Sequence, residues 1–507
     1  MPPERETVPG AGSVVIATSS LASERGLTDP SAERTMGSAV RWASLSQIFR
    51  QATQLITILV LARTLAPADF GLVTVALVLV GFLTLFRDMG VGSAVIQRGE
   101  ASQEWLSTLF WMAMLVGLVV TAGVFLSAPL LAEALREPRL TSVLRALAVA
   151  FLLSGFGVVQ QAMLERQLRY FAIARVEMLA AFLGSAVAIA AALGGAGVWS
   201  LVGQVLAIAG CTSALMWTSS PWRPTRLFRW DAARAGGGFG AGLTAFNAAN
   251  YLARNADYLM IGRVLGSTAL GYYALAYRLM LLPMLVVTSV VNRVMFPGLA
   301  RLRGDNDAMA RLYLAGVESI AFAAFPISLG LAAVAHRLIP VALGPGWEQA
   351  APVAVLLSIV GLLQSLGGTV GPVFLAYGEI RRMAIWGFVS TTFVIAGFAI
   401  GLRWGIVGVA GSYVVVSLAL LYPSFRLALR PMNIGVASIV RAAWRSMLVA
   451  SLMTIFVVAI GAALADHLGE PVTLAIQLAA GTVSYFAVSV LLNRRVTEVV
   501  LRRLLHP

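Results

Sequence analysis

The chain has 507 residues, of which 59% are hydrophobic and only 12% are charged, and its mean hydropathy is +0.84. Soluble domains are about 45–50% apolar and about 25% charged, so this composition excludes a soluble or disordered protein and indicates a membrane protein. The single Cys211 cannot form an intrachain disulfide, and the three histidines lie too far apart in the sequence to suggest a metal site. The net charge of +14 comes from arginine alone, because the chain contains no lysine.

Residues 1–35 are rich in Pro, Ser, Thr and Glu, which predicts a disordered cytoplasmic tail. Beyond them, apolar runs of about 20 residues alternate with short gaps, and a helix of that length crosses the ~30 Å hydrocarbon core of a bilayer. Transmembrane strands would instead be runs of about ten residues with alternating polarity. The sequence therefore predicts an all-α polytopic membrane protein with about fourteen transmembrane helices, at 40–62, 67–92, 105–130, 141–164, 174–194, 197–217, 240–262, 267–292, 313–335, 350–375, 382–402, 405–427, 441–465 and 470–492.

The arginines between these runs predict the orientation, because positively charged loops stay in the cytoplasm. With both termini inside, most loop arginines are cytoplasmic, and the opposite loops hold few arginines, diluted by acidic residues. We therefore interpret the positive charge as a signal for membrane orientation and not for nucleic-acid binding. The cytoplasmic set comprises Arg166, Arg169, Arg223, Arg226, Arg229, Arg234, Arg293, Arg301, Arg303, Arg311, Arg381, Arg382, Arg426, Arg430, Arg441, Arg445, Arg494, Arg495, Arg502 and Arg503.

An internal repeat divides the chain. A shift of 200 residues aligns LARTLAPADFG, at 61–71, with IGRVLGSTALG, at 261–271, and a later pair of short matches needs a shift of 211. Two units with six helices each enter the membrane from the same face, which predicts parallel repeats about an axis along the membrane normal, a frequent transporter architecture. The predicted parts are an N-lobe at 36–217, a cytoplasmic inter-lobe loop at 218–235, a C-lobe at 236–430, two further helices at 431–492 and a basic cytoplasmic tail at 493–507.

Polar residues inside the predicted helices carry the functional signal, since a charge at a helix centre costs about 2.5–3.5 kcal/mol on insertion scales. In the seventh helix, polar residues recur at intervals of three, four and three, which places them on one helix face. The equivalent positions of the first helix are polar as well, so two such stripes would enclose a hydrated cavity. The alternative is that they form hydrogen bonds between helices within each lobe. The stripes are Asn247, Asn250, Arg254 and Asp257, and Gln47, Arg50, Gln54 and Thr57.

Four further polar residues have open roles. Arg278 could neutralise Asp257 or bind an anionic substrate. Asp257 or Asp88 could respond to H+ or Na+ if transport is coupled to an ion. Glu177 and Glu318 lie near predicted cytoplasmic helix ends, where we expect them to be solvated or paired with loop arginines.

No catalytic motif occurs in the sequence. A phosphate-binding loop of the GxxxxGK[ST] type requires lysine, so the chain by itself cannot be an ATP-driven pump. Nucleophile-elbow and zinc motifs are absent as well. The sequence predicts a non-enzymatic protein without catalytic residues, a cofactor or a metal, and H+ or Na+ coupling is left open.

Three stretches resemble the polysaccharide repeat-unit flippases of the MOP superfamily, and within it the branch of colanic-acid and exopolysaccharide exporters. They are residues 160–204, beginning QQAMLERQLRYF, residues 250–283, NYLARNADYLMIGRVLGSTALGYYALAYRLMLLP, and residues 362–382, LLQSLGGTVGPVFLAYGEIRR. The resemblance implies two six-helix lobes in a MATE-like V around a central cavity, plus two C-terminal helices, in the bacterial inner membrane. It also implies that cationic cavity residues engage the substrate's pyrophosphate, a role that Arg50, Arg254 and Arg278 fit.

The function implied is translocation of undecaprenyl-pyrophosphate-linked oligosaccharide units by alternating access, for exopolysaccharide, capsule or O-antigen biosynthesis. In this hypothesis Gln47, Gln54, Asn247 and Asn250 meet sugar hydroxyls, and a polymerase and glycosyltransferases are candidate partners. Three alternatives stay open: a MATE-like cation or drug antiporter with an acidic or aromatic cavity, a non-transporting scaffold of a polysaccharide-assembly complex, and a lipid II flippase.

Overall fold

The computed structural model describes residues 30–87, 102–226 and 241–492, and within these ranges every regular element is helical. This agrees with the predicted all-α class. The helices are α1 (Pro30–Ala62), α2 (Pro67–Arg87), α3 (Gln103–Ala134), α4 (Leu140–Gly155), α5 (Val158–Arg166), α6 (Tyr170–Leu193), α7 (Val198–Ser219), α8 (Ala241–Arg254), α9 (Ala256–Arg301), α10 (Asn306–Leu343), α11 (Ala350–Gly367), α12 (Val370–Tyr377), α13 (Ile380–Gly401), α14 (Gly405–Leu429), α15 (Val436–Leu464) and α16 (Glu470–Leu492).

Ten helical stretches among the described residues are long and apolar enough to cross a membrane, or eleven if the bent pair α4 and α5 forms one span. One of the ten, Ile380–Met432, contains two helices. Contacts between 386 and 424 and between 398 and 413 run in opposite directions along α13 and α14, so these helices form an antiparallel hairpin. Each of the fourteen predicted spans overlaps helical structure, while the exact count stays a prediction.

Helix α9 is also a hairpin, broken at Gly266, whose φ of 86° and ψ of 175° are backbone angles that essentially only glycine adopts. Tyr258 before the break packs against Tyr273 and Tyr277 after it, with ring centroids 6.1 and 5.6 Å apart. Residues 256–265 therefore continue the predicted seventh span, which α8 begins, and residues 267–301 form the eighth. Asn255 separates α8 from α9, so the seventh span is a broken helix.

The N-terminal half consists of α1–α7. Helix α1 packs against α6, α6 against α7, and α3 against α4. Helix α1 begins at Pro30, inside the predicted tail of residues 1–35, and residues 1–29 lie outside the described part of the chain. Of the predicted inter-lobe loop, residues 227–235 are not described either.

The C-terminal half consists of α8–α14, and the last two helices pack against α10. Two contacts attach them: Arg337 of α10 forms an ion pair with Glu470 of α16, with Nε 2.8 Å from Oε2, and Tyr485 donates a hydrogen bond to the Phe322 carbonyl. The predicted appendage of two helices is therefore attached to the second half, chiefly through α10.

The two halves meet where α2 crosses the second arm of α9. At the crossing, a Cβ added to Gly71 would overlap the Ser267 carbonyl, and one added to Gly271 would overlap the Pro67 carbonyl. The two contacts are equivalent under the repeat: Gly71 corresponds to Gly271, and Ser267 corresponds to Pro67, each at a shift of 200. The helix interface is therefore pseudo-twofold symmetric, in the same register as the sequence repeat.

The direction of the helices identifies the symmetry axis. Gly262 lies against Val75, and Tyr251 lies against Gly81, so the seventh span runs antiparallel to α2. Since the seventh and eighth spans are themselves antiparallel, the eighth span runs parallel to α2, its counterpart in the repeat. Two parallel helices can be related by a twofold axis only if the axis runs along them. This is the direction of the axis that parallel repeats predict.

A second contact joins the halves at the end of the molecule where α1 ends. The buried Trp347 donates a hydrogen bond from Nε1 to the Ala62 carbonyl, 2.7 Å away, and its ring packs on Phe70. Arg63 donates to the carbonyl oxygens of Val341 and Ala342, at 2.6 and 3.2 Å, and so satisfies the last turn of α10. The two lobes are therefore closed against each other at this end.

Candidate functional site

The two polar stripes share one pattern of exposure. In each stripe the first three residues are exposed or half-buried, and the fourth is buried. The fourth residues are Thr57, 1% exposed, and Asp257, 2% exposed. Thr57 donates a hydrogen bond within its own helix, to the Thr53 carbonyl at 2.8 Å. The two stripes thus match in exposure, and the last residue of each is buried.

The accessible residues of the stripes are strongly polar: Gln47, Arg50 and Gln54 on α1, and Asn247, Asn250 and Arg254 on α8. Such side chains are costly to place against lipid, so membrane helices present them to a cavity or to each other. Helix α1 packs on α6, and α8 packs on α2 of the other half. Despite this packing, five of the six side chains stay exposed, and Arg50 is half-buried.

Arg50 has a partner that the sequence did not predict. Its Nη1 lies 3.4 Å from Oε1 of Glu177 on α6, and its Nη2 donates a hydrogen bond to Gln47 on the same helix. The expectation that Glu177 is solvated or paired with a loop arginine is therefore wrong. No sequence pattern links positions 50 and 177, because the pairing depends on the packing of α1 against α6.

Asp257 lies in a cluster of tyrosines. Its Oδ2 accepts a hydrogen bond from the Tyr273 hydroxyl at 3.1 Å, and its Oδ1 accepts one from the Tyr258 backbone N–H at 2.9 Å. Tyr277 packs on both tyrosine rings. The polar stripes predicted from the sequence do not include these tyrosines, although the spacing of Tyr273 and Tyr277 places them on one helix face.

Two arginines have no hydrogen bond or ion pair with any described residue. Arg254, at the end of α8, is exposed, and Arg278, inside the second arm of α9, is half-buried. Arg278 forms no ion pair with Asp257, whose carboxylate is instead satisfied by Tyr273 and backbone N–H. Of the two roles considered for Arg278, this arrangement favours a free guanidinium over a counterion.

The remaining candidate ion-coupling residue, Asp88, lies outside the described residues. Within the described part of the chain, no group of three or more His, Cys, Asp or Glu side chains could hold a metal ion. The described candidate residues supply guanidinium, carboxylate, amide and phenol groups.

Comparisons with known proteins agree with this architecture. Over 402 residues the chain is 28% identical to the lipopolysaccharide biosynthesis protein WzxC of Escherichia coli (strain K12), covering 79% of this chain and 82% of WzxC. The lipid II flippase MurJ, in an inward closed conformation, matches with a TM-score of 0.68 at 14% identity, over 89% of this chain and 98% of MurJ. An inward-facing MATE-family multidrug resistance transporter of the MOP superfamily matches at 0.60 and 16%, over 78% and 98% of the two chains.

The structural matches show the fold, and they confirm the predicted MATE-like arrangement of a multi-pass membrane protein. The family model described as "Polysaccharide biosynthesis protein" matches residues 60–352, more than half of the 507 residues. The resemblance to polysaccharide flippases seen in the sequence is thereby confirmed, and this chain belongs to the polysaccharide biosynthesis protein family.

Proposed function

We propose that this protein is a flippase that translocates undecaprenyl-pyrophosphate-linked oligosaccharide units across the bacterial inner membrane, for the biosynthesis of a surface polysaccharide. The proposal is carried by one observation: two polar stripes related by the sequence repeat, with arginine in each, lie on helices of two lobes that are closed at one end. WzxC, which is named for lipopolysaccharide biosynthesis, and the lipid II flippase MurJ support the class of substrate.

In the proposed mechanism, Arg254, Arg278 and Arg50 hold the pyrophosphate. Arginine suits this role because its planar guanidinium binds two phosphate oxygens at once and keeps its charge when water is removed. Gln47, Gln54, Asn247 and Asn250 bind sugar hydroxyls. The lobes rock about the crossing of α2 and α9, so that the cavity opens first to one side of the membrane and then to the other.

The proposal is tested in a deletion strain complemented with the wild type, Arg50→Ala, Arg254→Ala or Arg278→Ala, at matched membrane levels. We expect the variants to lose surface polymer and to accumulate the lipid-linked unit in the cytoplasmic leaflet. Arg441→Ala on α15, outside both stripes, is the matched control and should export normally. Normal export by all three stripe variants would contradict the arginine site, and an unchanged deletion strain would contradict the flippase.

Asp257 is our candidate for coupling to H+ or Na+, because it is the only carboxylate of the stripes and it is buried among hydroxyl groups. Asp257→Asn keeps the size of the side chain and removes the charge. We expect it to abolish the dependence of transport into vesicles on an ion gradient, while the arginines still bind substrate. Transport that stays dependent on the gradient in this variant would exclude Asp257.

One observation favours a second candidate function. We expect a MATE-like antiporter to have an acidic or aromatic cavity, and Asp257 with its tyrosines has that composition. However, Asp257 and Tyr273 are buried, whereas the exposed charges of the stripes are arginines, which repel cationic drugs. An unchanged sensitivity of the deletion strain to cationic drugs would exclude the antiporter.

Both termini are placed in the cytoplasm in this proposal, on the basis of the arginine distribution. The orientation can be tested by fusing to each terminus a reporter that is active on only one side of the membrane. A polymerase and glycosyltransferases of the same polysaccharide are the proposed partners. A non-transporting scaffold would act only through contacts with these partners. Normal export by variants that lack the stripe arginines would therefore favour the scaffold over the flippase.

A further inference from the structure

Glu177 lies beside an arginine that the proposed function assigns to the substrate. It extends from α6 toward α1, where its Oε1 is 3.4 Å from Nη1 of Arg50. The side chains of Arg50 and Glu177 are 39% and 24% exposed, so the pair is only partly covered by protein. An anionic group that reaches Arg50 from the open side therefore meets an arginine that already has a carboxylate partner.

The ion pair leaves much of the guanidinium unused. Arginine has five N–H donors, and its strong pairs with carboxylate or phosphate use two parallel hydrogen bonds of about 2.7–2.9 Å. Here one contact at 3.4 Å joins Arg50 to Glu177, and Nε of Arg50 is buried without a hydrogen-bond partner. A phosphate group offers more acceptor oxygens than this carboxylate contact provides.

The carboxylate is held independently of the arginine. Oε2 of Glu177 accepts a hydrogen bond from the Ser46 hydroxyl, 3.2 Å away, and Ser46 is 2% exposed. Ser46 lies one turn before Arg50 on the same helix. If the Arg50 side chain turns toward a ligand, Glu177 keeps this partner, so opening the ion pair does not leave the carboxylate without a hydrogen bond.

We propose that Glu177 is an internal counterion of Arg50, which the phosphate group of the substrate replaces during binding. This inference rests on the proposed function, because it assumes that Arg50 meets an anionic substrate. Substrate binding by Arg50 is then weaker and more easily reversed, because part of the binding free energy is spent on breaking the ion pair. A transporter requires such a limit, because it must release what it binds on the other side.

The test measures binding of geranylgeranyl pyrophosphate to the purified full-length protein in lipid nanodiscs. Glu177→Gln keeps the size of the side chain and an acceptor for Ser46 but removes the charge. Because partly exposed ion pairs contribute up to about 1 kcal/mol, we expect the Kd of this variant to fall by about threefold to fivefold. Glu177→Ala, which also removes the charge, should tighten binding too, and Arg50→Gln should weaken it.

The double variant Arg50→Gln/Glu177→Gln should bind like Arg50→Gln alone, because the counterion acts only through the arginine. Glu318→Gln is the matched control: Glu318, on α10, is half-buried and forms no ion pair with a described residue, so its Kd should not change.

Unchanged or weaker binding by both Glu177 variants would overturn the inference, since a carboxylate that merely positions Arg50 must weaken binding when removed. If wild type and Arg50→Gln bind the probe equally, the assignment of Arg50 to the substrate fails, and the inference fails with it. The Arg50→Gln variant thus tests the proposed substrate site, and the Glu177 variants test the counterion.

Discussion

At the residue scale, Tyr273 is the clearest addition that the structure makes to the polar stripes. Asp257 is 2% exposed, and such a buried carboxylate needs hydrogen-bond donors. Its two donors are the hydroxyl of Tyr273 and one backbone N–H, both on the same helical hairpin. The hydroxyl therefore holds the carboxylate in place and ties the seventh span to the eighth.

Replacement of Tyr273 by Phe should destabilise the protein. Removing one partner of a buried hydrogen bond costs about 1–3 kcal/mol, so we expect a lower thermal unfolding midpoint in detergent. Tyr272→Phe is the control, because the Tyr272 hydroxyl forms no hydrogen bond with a described residue and its ring packs on Trp347. Equal midpoints for the two variants would show that the hydroxyl contributes nothing to stability.

The close crossing of the lobes gives a second prediction at this scale. Gly71→Ala adds a Cβ that overlaps the Ser267 carbonyl, so the lobes must move apart. Strain from excess volume in a packed interface costs about 1–3 kcal/mol, which should lower the unfolding midpoint. Gly123→Ala, on α3, meets no atom within 4 Å and should leave the midpoint unchanged or raise it. A Gly71→Ala protein as stable as wild type would contradict the contact.

At the scale of elements, the breaks in the helices are the main feature that periodicity did not reveal. The sequence predicted the seventh and eighth spans as separate helices, and the structure joins them through Gly266 without an intervening loop. It also divides the seventh span at Asn255, directly after Arg254 and two residues before Asp257. The break places an exposed arginine and a buried aspartate at adjacent turns of a single polar stripe.

The turn at Gly266 can be tested by substitution. Gly266→Ala meets no neighbouring atom, so any effect comes from the backbone, whose φ of 86° disfavours residues with a Cβ. We expect a loss of stability of about 1–3 kcal/mol, seen as a lower unfolding midpoint. Gly387→Ala, within α13, also meets no atom within 4 Å but has helical backbone angles. If both variants unfold at the same temperature, the positive φ is not required.

At the scale of the whole molecule, the contacts near Arg63 and Trp347 join the two lobes at one end. Alternating access requires these contacts to break in each cycle. A covalent bond across them should therefore stop transport, whereas a bond within one lobe should not.

The test uses a Cys211→Ser background, which removes the natural cysteine. Cysteines at 63 and 342 should cross-link under oxidation and abolish polysaccharide export, and a reductant should restore it. The control pair replaces Ser107 on α3 and Thr225, just after α7, whose hydroxyl oxygens are 2.9 Å apart on the N-terminal side of the lobe crossing. Continued export with the 63–342 bond intact would contradict rocking of the lobes about their crossing.

Length and hydropathy determined much of this protein by themselves. Apolar runs of about 20 residues define membrane helices, because a bilayer has a fixed thickness and backbone groups inside it must be hydrogen-bonded. The shift of 200 residues likewise revealed the two lobes, since repeated helices pack in repeated ways. The positions of the polar stripes follow from helical spacing, which is why Asn247, Asn250 and Arg254 were found on one accessible face.

Only the tertiary structure decided the partners of these residues. Arg50 meets Glu177, which is 127 positions away in sequence, because α1 packs on α6. Asp257 meets Tyr273 because Gly266 reverses the chain, and Tyr273, not Arg278, donates to the carboxylate. Helical periodicity specifies which face of a helix a side chain occupies, but the residue opposite that face depends on contacts between helices that are distant in the chain.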